Sequence, residues 1–359
     1  MATREKELTG ADVALDEQKI NAFLAKVLAD WGAVSSAPLV MIGERLGLYD
    51  AMAEAGPMTS ADLARRTGTH ERYVREWLLN QSAGGYIEYD PTSQCYTLPA
   101  EHAALLSIVI AGFQTYLAAA RAESRIASAF QTDAGMPWGD HDPGVFVGVE
   151  RFFRPGYEQF LVSSWIPALD GVAEKLERGA RVADIGCGHG ASTIILAQAY
   201  PRSRFVGFDN HPASIEAARR AAAEAGVADR VTFEAVSATE YPAPLTGYDL
   251  VAFFDCLHDL GDPVGAVKHA HEALAVDGTV LIVEPMAGER VEENLTPLGR
   301  ALAGASTMLC MPHSRSTGGL ALGALASEDR LRDVVTTGGF GRFRRATETP
   351  FNRIFEARR

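Results

Sequence analysis

Val182-Ala183-Asp184-Ile185-Gly186-Cys187-Gly188-His189-Gly190 is the stretch of the chain with the sharpest chemical content. Three glycines at alternate positions after an apolar run predict a tight turn from a strand into a helix. Such a turn lets the backbone approach a ligand closely and aims free N–H groups at it. Two ligand chemistries fit the glycines. Gly186, Gly188 and Ala191 satisfy the dinucleotide spacing GxGxxA, and Asp209 stands where an acid binds ribose hydroxyls in either case. Asp184 separates the two, because a carboxylate two residues before the first glycine attracts an ammonium and repels a pyrophosphate. At about 4 Å and an effective dielectric of about 20, that difference in sign is of the order of several kcal/mol. No Lys or Arg occurs in residues 182–190. A ligand with an ammonium end, such as S-adenosylmethionine, is expected over a dinucleotide.

The second group with chemical content is Leu257-His258-Asp259, together with Glu284. A hydroxyl is a poor nucleophile until its proton leaves. An imidazole of ordinary pKa, about 6.5, accepts a proton at neutral pH, and a positioned base contributes roughly 10²–10⁴-fold. Glu284, at the C-terminal end of a predicted strand, would orient that ring and stabilise the imidazolium. Cys95, Cys187, Cys256 and Cys310 are far apart and form no CxxC pair. That spacing argues against a disulfide framework and against a structural zinc site. Cys187 and Cys256 read as small apolar packers. No His/Cys/Asp grouping has metal-ligand spacing, so a metal-independent site is expected.

The elements that must position these residues follow from periodicity. Strands are predicted at 181–185, 203–208, 231–236, 249–254 and 279–283, with helices at 191–200, 213–225 and 263–274 between them. That alternation predicts a Rossmann-like, doubly wound parallel sheet. After an insertion of about 40 residues, a helix at 328–337 and strands at 342–348 and 352–357 close it. The N-terminal part reads differently. Helices are expected at 15–33 and 36–47. Thr59 caps a short helix that Gly68 ends, and another helix runs from about His70. Two short alternating runs around Asp90-Pro91-Thr92-Ser93 form a hairpin. Helix, short helix, turn, helix and two-stranded wing make an α+β winged helix. Residues 101–178 are a helical connector, broken at 135–143, whose Trp138, Phe153 and Tyr157 form a lid over a small-molecule site. The expected division is 1–100, 101–178 and 179–359.

The chain has 359 residues with 33 Lys/Arg against 46 Asp/Glu, a net charge of −13. That balance argues against a grip on nucleic acid or on an anionic membrane. Over residues 1–110 there are 9 Lys/Arg and 15 Asp/Glu, a net of −6. The winged helix is therefore read as a dimerisation and lid element. Residues 103–120 carry no charge and reach the minimum length for a membrane span. Their polar residues and the lack of basic flanks make them a buried helix. Residues 1–12 have no apolar core, so no signal peptide is expected and the compartment is cytoplasmic.

Asp184-x-Gly186-x-Gly188-x-Gly190 followed by Asp209 resembles the first motifs of class I S-adenosylmethionine-dependent methyltransferases. With the winged helix in front, the chain is similar to the dimeric small-molecule O-methyltransferases. The stretches 150–157 and 253–259 resemble an uncharacterised actinobacterial branch whose members are sometimes labelled regulators. The resemblance implies S-adenosylmethionine held by Asp184, Gly186, Cys187, Gly188, Gly190, Asp209, Asn210, Ser237, Ala238, Phe254 and Asp255. It further implies His258 as catalytic base with Glu284 beside it, and a small, apolar or aromatic acceptor against Phe153, Tyr157, Trp138 and Met308. Two positions depart from the pattern: Leu260 stands where the family usually has Trp after His-Asp, and Ser237 where many members have Asp. Three other functions stay open on the sequence: a regulator that senses S-adenosylmethionine, a nucleic-acid methyltransferase and a dinucleotide oxidoreductase.

Overall fold

The computed structural model describes residues 15–359. The segment 1–12, read above as no signal peptide, lies outside the described residues. The chain divides into two compact units between Leu106 and Ser107.

The first unit opens with one continuous helix, Glu17–Arg45, where the sequence reading expected two. Asp16 caps it by accepting from the N–H groups of Gln18 and Lys19. Pro38 lies inside it without ending it. A proline removes one backbone donor, and no left-handed residue stands between Gly32 and Pro38 to stop the turn. The Ser35 and Ser36 hydroxyls instead bond back to the Gly32 carbonyl, at 2.9 and 2.8 Å. The apolar residues in the first half of this helix do not face a core: Phe23 and Trp31 are each 66% exposed, with Leu24 and Leu28 half exposed beside them, whereas Val40 in its second half is buried.

Thr59 and Asp62 form a reciprocal capping box at helix Ser60–Thr67, and Gly68 ends it at φ +65°. Helix Glu71–Ala83 follows, then the wing of β1 (Glu88–Asp90) and β2 (Cys95–Thr97), paired antiparallel. Leu48, Tyr49, Met52, Leu63, Trp77 and Leu78 fill the core of this unit. On helix Glu71–Ala83, Arg72 pairs with Glu76 and Arg75 with Glu71.

The second unit is built on seven strands: β3 (Arg181–Ile185), β4 (Arg204–Asp209), β5 (Val231–Ala235), β6 (Tyr248–Phe254), β7 (Leu274–Pro285), β8 (Arg342–Glu348) and β9 (Asn352–Arg358). Their order is β5-β4-β3-β6-β7-β9-β8. The first five are parallel, and β9 and β8 close the sheet antiparallel. β3 therefore has β4 on one side and β6 on the other, so the winding reverses at its C-terminal end. A crevice must open there. β9 is buried along its length, including Arg353, whose guanidinium donates to the Pro285 and Ala326 carbonyls. β8 is the edge, and Arg342, Arg344 and Arg345 blunt it against further pairing.

Two segments depart from α-helical winding. Tyr157–Trp165 and Ser306–Cys310 are π-helical, with wider turns that recur at functional sites. Helices Glu17–Arg45 and Ala100–Thr132 have the length and composition to cross a membrane. In the second, Ile110, Ala111, Ala118 and Ala119 are buried within the protein, but Leu105 and Tyr116 are exposed, so residues 103–120 are buried only in part and not as the fully buried helix expected.

Candidate active site

The turn after β3 is set by its glycines. Gly186, Gly188 and Gly190 have φ of +70°, +52° and +80°, values that side-chain-bearing residues rarely adopt. A Cβ at Gly190 would lie 2.6 Å from the Phe233 ring, and one at Gly186 would lie 2.8 Å from Cys256 Sγ. The N–H groups of Gly186 and Cys187 donate to the Phe208 carbonyl at 2.8 and 3.1 Å, which pins the turn against β4. Asp209, at the end of β4, accepts from the Gly188 N–H at 2.9 Å and the His211 N–H at 2.8 Å. Burial pushes its carboxyl pKa up.

Asp184 lies buried beneath this turn. One carboxylate oxygen accepts from the Ser192 and Thr193 hydroxyls, both at 2.6 Å. The other, Oδ1, is buried with no hydrogen-bond partner. Burial raises its pKa to about 6, against the two hydroxyl bonds that lower it. A buried carboxylate with an unused oxygen favours a cation nearby.

A cavity of about 460 Å³ opens at this end of the sheet. Of the residues singled out for the cofactor, Gly186, Cys187, Gly188, Asp209, Asn210, Ala238, Phe254 and Asp255 line it. Asp184 and Gly190 lie behind the wall. Ser237 is off the wall too, its hydroxyl 2.9 Å from that of Thr239. Asp255 follows β6 at φ +51° and accepts from Asn352 Nδ2 at 2.7 Å and from the Tyr157 hydroxyl at 3.3 Å. Burial pushes its pKa well above the usual carboxylate range. Among the described residues, no Lys or Arg lines the cavity.

The lining also carries His258, on the short turn Leu257–Asp259 after β6. Its Nδ1 lies 2.6 Å from Glu284 Oε2, and its backbone N–H donates to Glu284 Oε1 at 3.3 Å. Glu284 is fully buried near the end of β7. His258 Nε2 lies 3.1 Å from Asp259 Oδ1. Burial alone would push the ring pKa down, but Glu284 and Asp259 outweigh it and hold it well above the usual imidazole range. Asp259 answers in kind: burial raises its pKa, and the His258 charge brings it below the ordinary value. The ring thus holds a proton more strongly than the free imidazole of ordinary pKa that the sequence reading supposed. Proton uptake here belongs to the three groups together.

Cys310, at the end of the π-helical segment, completes a grouping that sequence spacing did not reveal. Donor atoms of His258, Asp259 and Cys310 all lie within 4.8 Å of one another. Burial pushes the Cys310 thiol up to about 12.

Residues 133–138, expected to belong to a lid, are stitched to the insertion between β7 and β8. Gly135 has φ +66°, and a Cβ there would meet the Pro312 carbonyl oxygen at 2.3 Å. Met136 N–H donates to that carbonyl at 2.8 Å, and Trp138 N–H donates to His313 Nδ1 at 3.0 Å. Asp133 and Arg315 form an ion pair beside them. Trp138, Phe153 and Tyr157 line the cavity, whereas Met308 packs behind the wall near Ile126 and Met136. Tyr116 and Phe146 line it as well and were missed. Phe146 stacks on His211 with centroids 4.5 Å apart. A helical run with aromatic spacing was their only sequence signal.

Residues 176–333 match the methyltransferase domain family, and residues 34–108 match the Rv2258c-like winged HTH domain. Residues 176–333 thus form a methyltransferase domain. The methyltransferase domain sits in a chain similar to 27-O-demethylrifamycin SV methyltransferase of Amycolatopsis mediterranei. The identity is 30% over 133 residues, covering 35% of this chain and 48% of that relative. The chain thus spans less than half of the curated relatives that come first. Its fold is that of the mitomycin 7-O-methyltransferase MmcR, with a TM-score of 0.69, 19% identity, and 96% and 100% of the two chains covered. It is also that of human N-acetylserotonin methyltransferase, solved in complex with SAM. There the TM-score is 0.64, the identity 17%, and the coverage 97% and 99%. The residues at the turn fit such a ligand: a glycine turn with its backbone open to the cavity, an acid at the end of β4, and an unpartnered carboxylate oxygen for a cation.

Proposed function

We propose that this protein transfers a methyl group from S-adenosylmethionine to an oxygen of a small, apolar or aromatic acceptor. The observation that carries this reading is the His258 ring. Fixed at 2.6 Å by Glu284, it faces the same cavity as the turn of Gly186 and Gly188. S-adenosylmethionine supplies an electrophilic methyl group when bound. Gly186, Cys187, Gly188, Asp209, Asn210, Ala238, Phe254 and Asp255 would hold it from the wall, with Asp184 supplying negative charge from behind. Gly190 sets the turn, and Ser237 supports the loop through Thr239. The absence of Lys and Arg from the described wall speaks against a pyrophosphate, and so against the oxidoreductase reading.

The acceptor's proton passes to the lone pair of the neutral His258 ring at Nε2, and the carboxylates of Glu284 and Asp259 stabilise the imidazolium that results. Glu284 keeps the imidazolium in place through Nδ1. Trp138, Phe153 and Tyr157 exclude water and receive an apolar acceptor, with Met308 packed behind them. Holding the acceptor oxygen in line with the methyl group supplies much of the acceleration.

Residues 1–100 serve as a dimerisation element, 101–178 as connector and lid, and 179–359 as the methyl-transfer unit. The exposed apolar stripe of helix Glu17–Arg45 supports a homodimer. The four free cysteines fit the cytoplasm. The winged helix keeps a regulator reading in view, but both arginines of its second helix are paired on that helix, and the unit is acidic. Calorimetry with S-adenosylhomocysteine tests the reading first. Binding that survives Asp184→Ala and Asp209→Ala together removes it. Turnover on a panel of phenols, lost in His258→Ala with binding kept, supports the assignment of the base.

A further inference from the structure

The floor of the cavity brings together three donor atoms of unlike hardness: His258 Nε2, an Asp259 carboxylate oxygen and Cys310 Sγ. They lie within 4.8 Å of one another, and all three residues line the cavity. Around a tetrahedral zinc ion, bonds of about 2.0–2.3 Å place neighbouring donors roughly 3.2–3.8 Å apart. His258 Nε2 and Asp259 Oδ1 are already 3.1 Å apart. The second nitrogen of His258 is held by Glu284, and such a carboxylate–imidazole pair fixes which nitrogen faces a metal and strengthens it as a ligand. Asp259 Oδ1 is buried, and despite its closeness to Nε2 it makes no aligned hydrogen bond.

We propose that His258, Asp259 and Cys310 form a three-ligand site for a soft divalent cation of the zinc class, open to the cavity on its fourth side. One thiolate, one imidazole and a single carboxylate suit zinc, and suit magnesium or calcium poorly, since those ions favour all-oxygen shells. Binding releases the Cys310 thiol proton and the Nε2 proton to solvent. The ion then occupies the nitrogen lone pair that proton uptake needs, so the loaded protein is blocked in methyl transfer. The metal site itself stands without the methyl-transfer reading, and only the block rests on it.

Cobalt(II) is the probe. The full chain, freed of metal by a chelator, is titrated with cobalt(II) and followed by the near-ultraviolet thiolate-to-cobalt absorption, then with zinc as competitor. The expected result is a band that saturates at one equivalent and disappears on adding zinc. It is lost in Cys310→Ser and kept in Cys95→Ser. Asp259→Asn is expected to weaken zinc binding at least tenfold. S-adenosylhomocysteine binding, measured on every variant, reports that each is folded. No band in the parent protein, or a band that persists in Cys310→Ser, overturns the site. Unchanged zinc affinity in Asp259→Asn overturns the ligand set. A parent protein that binds cobalt but no S-adenosylhomocysteine leaves the metal site standing and removes the methyl-transfer reading.

Discussion

The two walls of the cavity are built on different principles. The wall at the end of β3 and β4 is mostly backbone: Gly186, Gly188 and Gly190 in left-handed conformations, pinned to the Phe208 carbonyl and to Asp209. Its position is inherited from the sheet. The rest of the lining is mostly side chains from segments distant in sequence: Trp138, Phe153, Tyr157 and Cys310 on helical segments, with His258 on the turn after β6. Its position is held by stitches such as Trp138 to His313 and His258 to Glu284. A backbone wall has few ways to vary, and a side-chain wall has many. The pairing of a fixed wall with a variable one lets one fold serve many acceptors.

The sharpest way to break this contrast is His258→Ala. It should lower turnover by roughly 10²–10⁴-fold while leaving S-adenosylhomocysteine affinity within about a factor of two. Rate constants and calorimetry on the same preparation check both halves. An equal loss in affinity would mean that the walls are not separable.

Gly190→Ala strikes the other wall. Its added methyl must enter the space of the Phe233 ring at φ +80°. Strain of about 1–3 kcal/mol should appear as lowered stability in urea, together with at least tenfold weaker S-adenosylhomocysteine binding.

Asp184 gives the pH dependence a definite sign. Its folded-state pKa of about 6 lies above the usual carboxylate value. Well below pH 4 it is protonated in both states and has no effect. As pH rises from about 4 toward 6 the unfolded chain ionises more readily than the folded one, so stability falls. Asp184→Asn removes that penalty. Relative to the parent, the unliganded variant should gain almost nothing near pH 2.5 and roughly 1–3 kcal/mol at pH 7, read by urea melts. Its cofactor binding should weaken over the same range.

The smallest effect belongs to the stitch at Gly135. Gly135→Ala should displace the lid from Pro312, raise KM for the acceptor a few-fold and leave the cofactor affinity unchanged. Steady-state kinetics with each substrate varied in turn measure this.

The contrast also explains what the sequence made legible. Strand β3 and helix Ala191–Ala199 were readable because apolar runs and alternate glycines are local signals. His258 and Glu284 were placed correctly at strand ends, since a parallel sheet aligns those ends. Cys310 was not readable as a neighbour of His258, because an insertion of helices decides where it arrives. Ser237 was assigned to the ligand, but its hydroxyl is taken by Thr239, two residues on. On helix Glu17–Arg45 the apolar period was correct for a helix, yet Phe23 and Trp31 face outward. Periodicity reports that a stripe exists, and is silent on what covers it.

The π-helical turn at Ser306–Cys310 decides where one soft atom points. Such a turn holds a residue more than an α-helical turn. Each residue of ordinary winding turns the chain by about 100°, so the extra residue sets the side of the helix on which Cys310 arrives. The thiol's place beside His258 and Asp259 is therefore a property of winding, on a segment apart from the glycine turn.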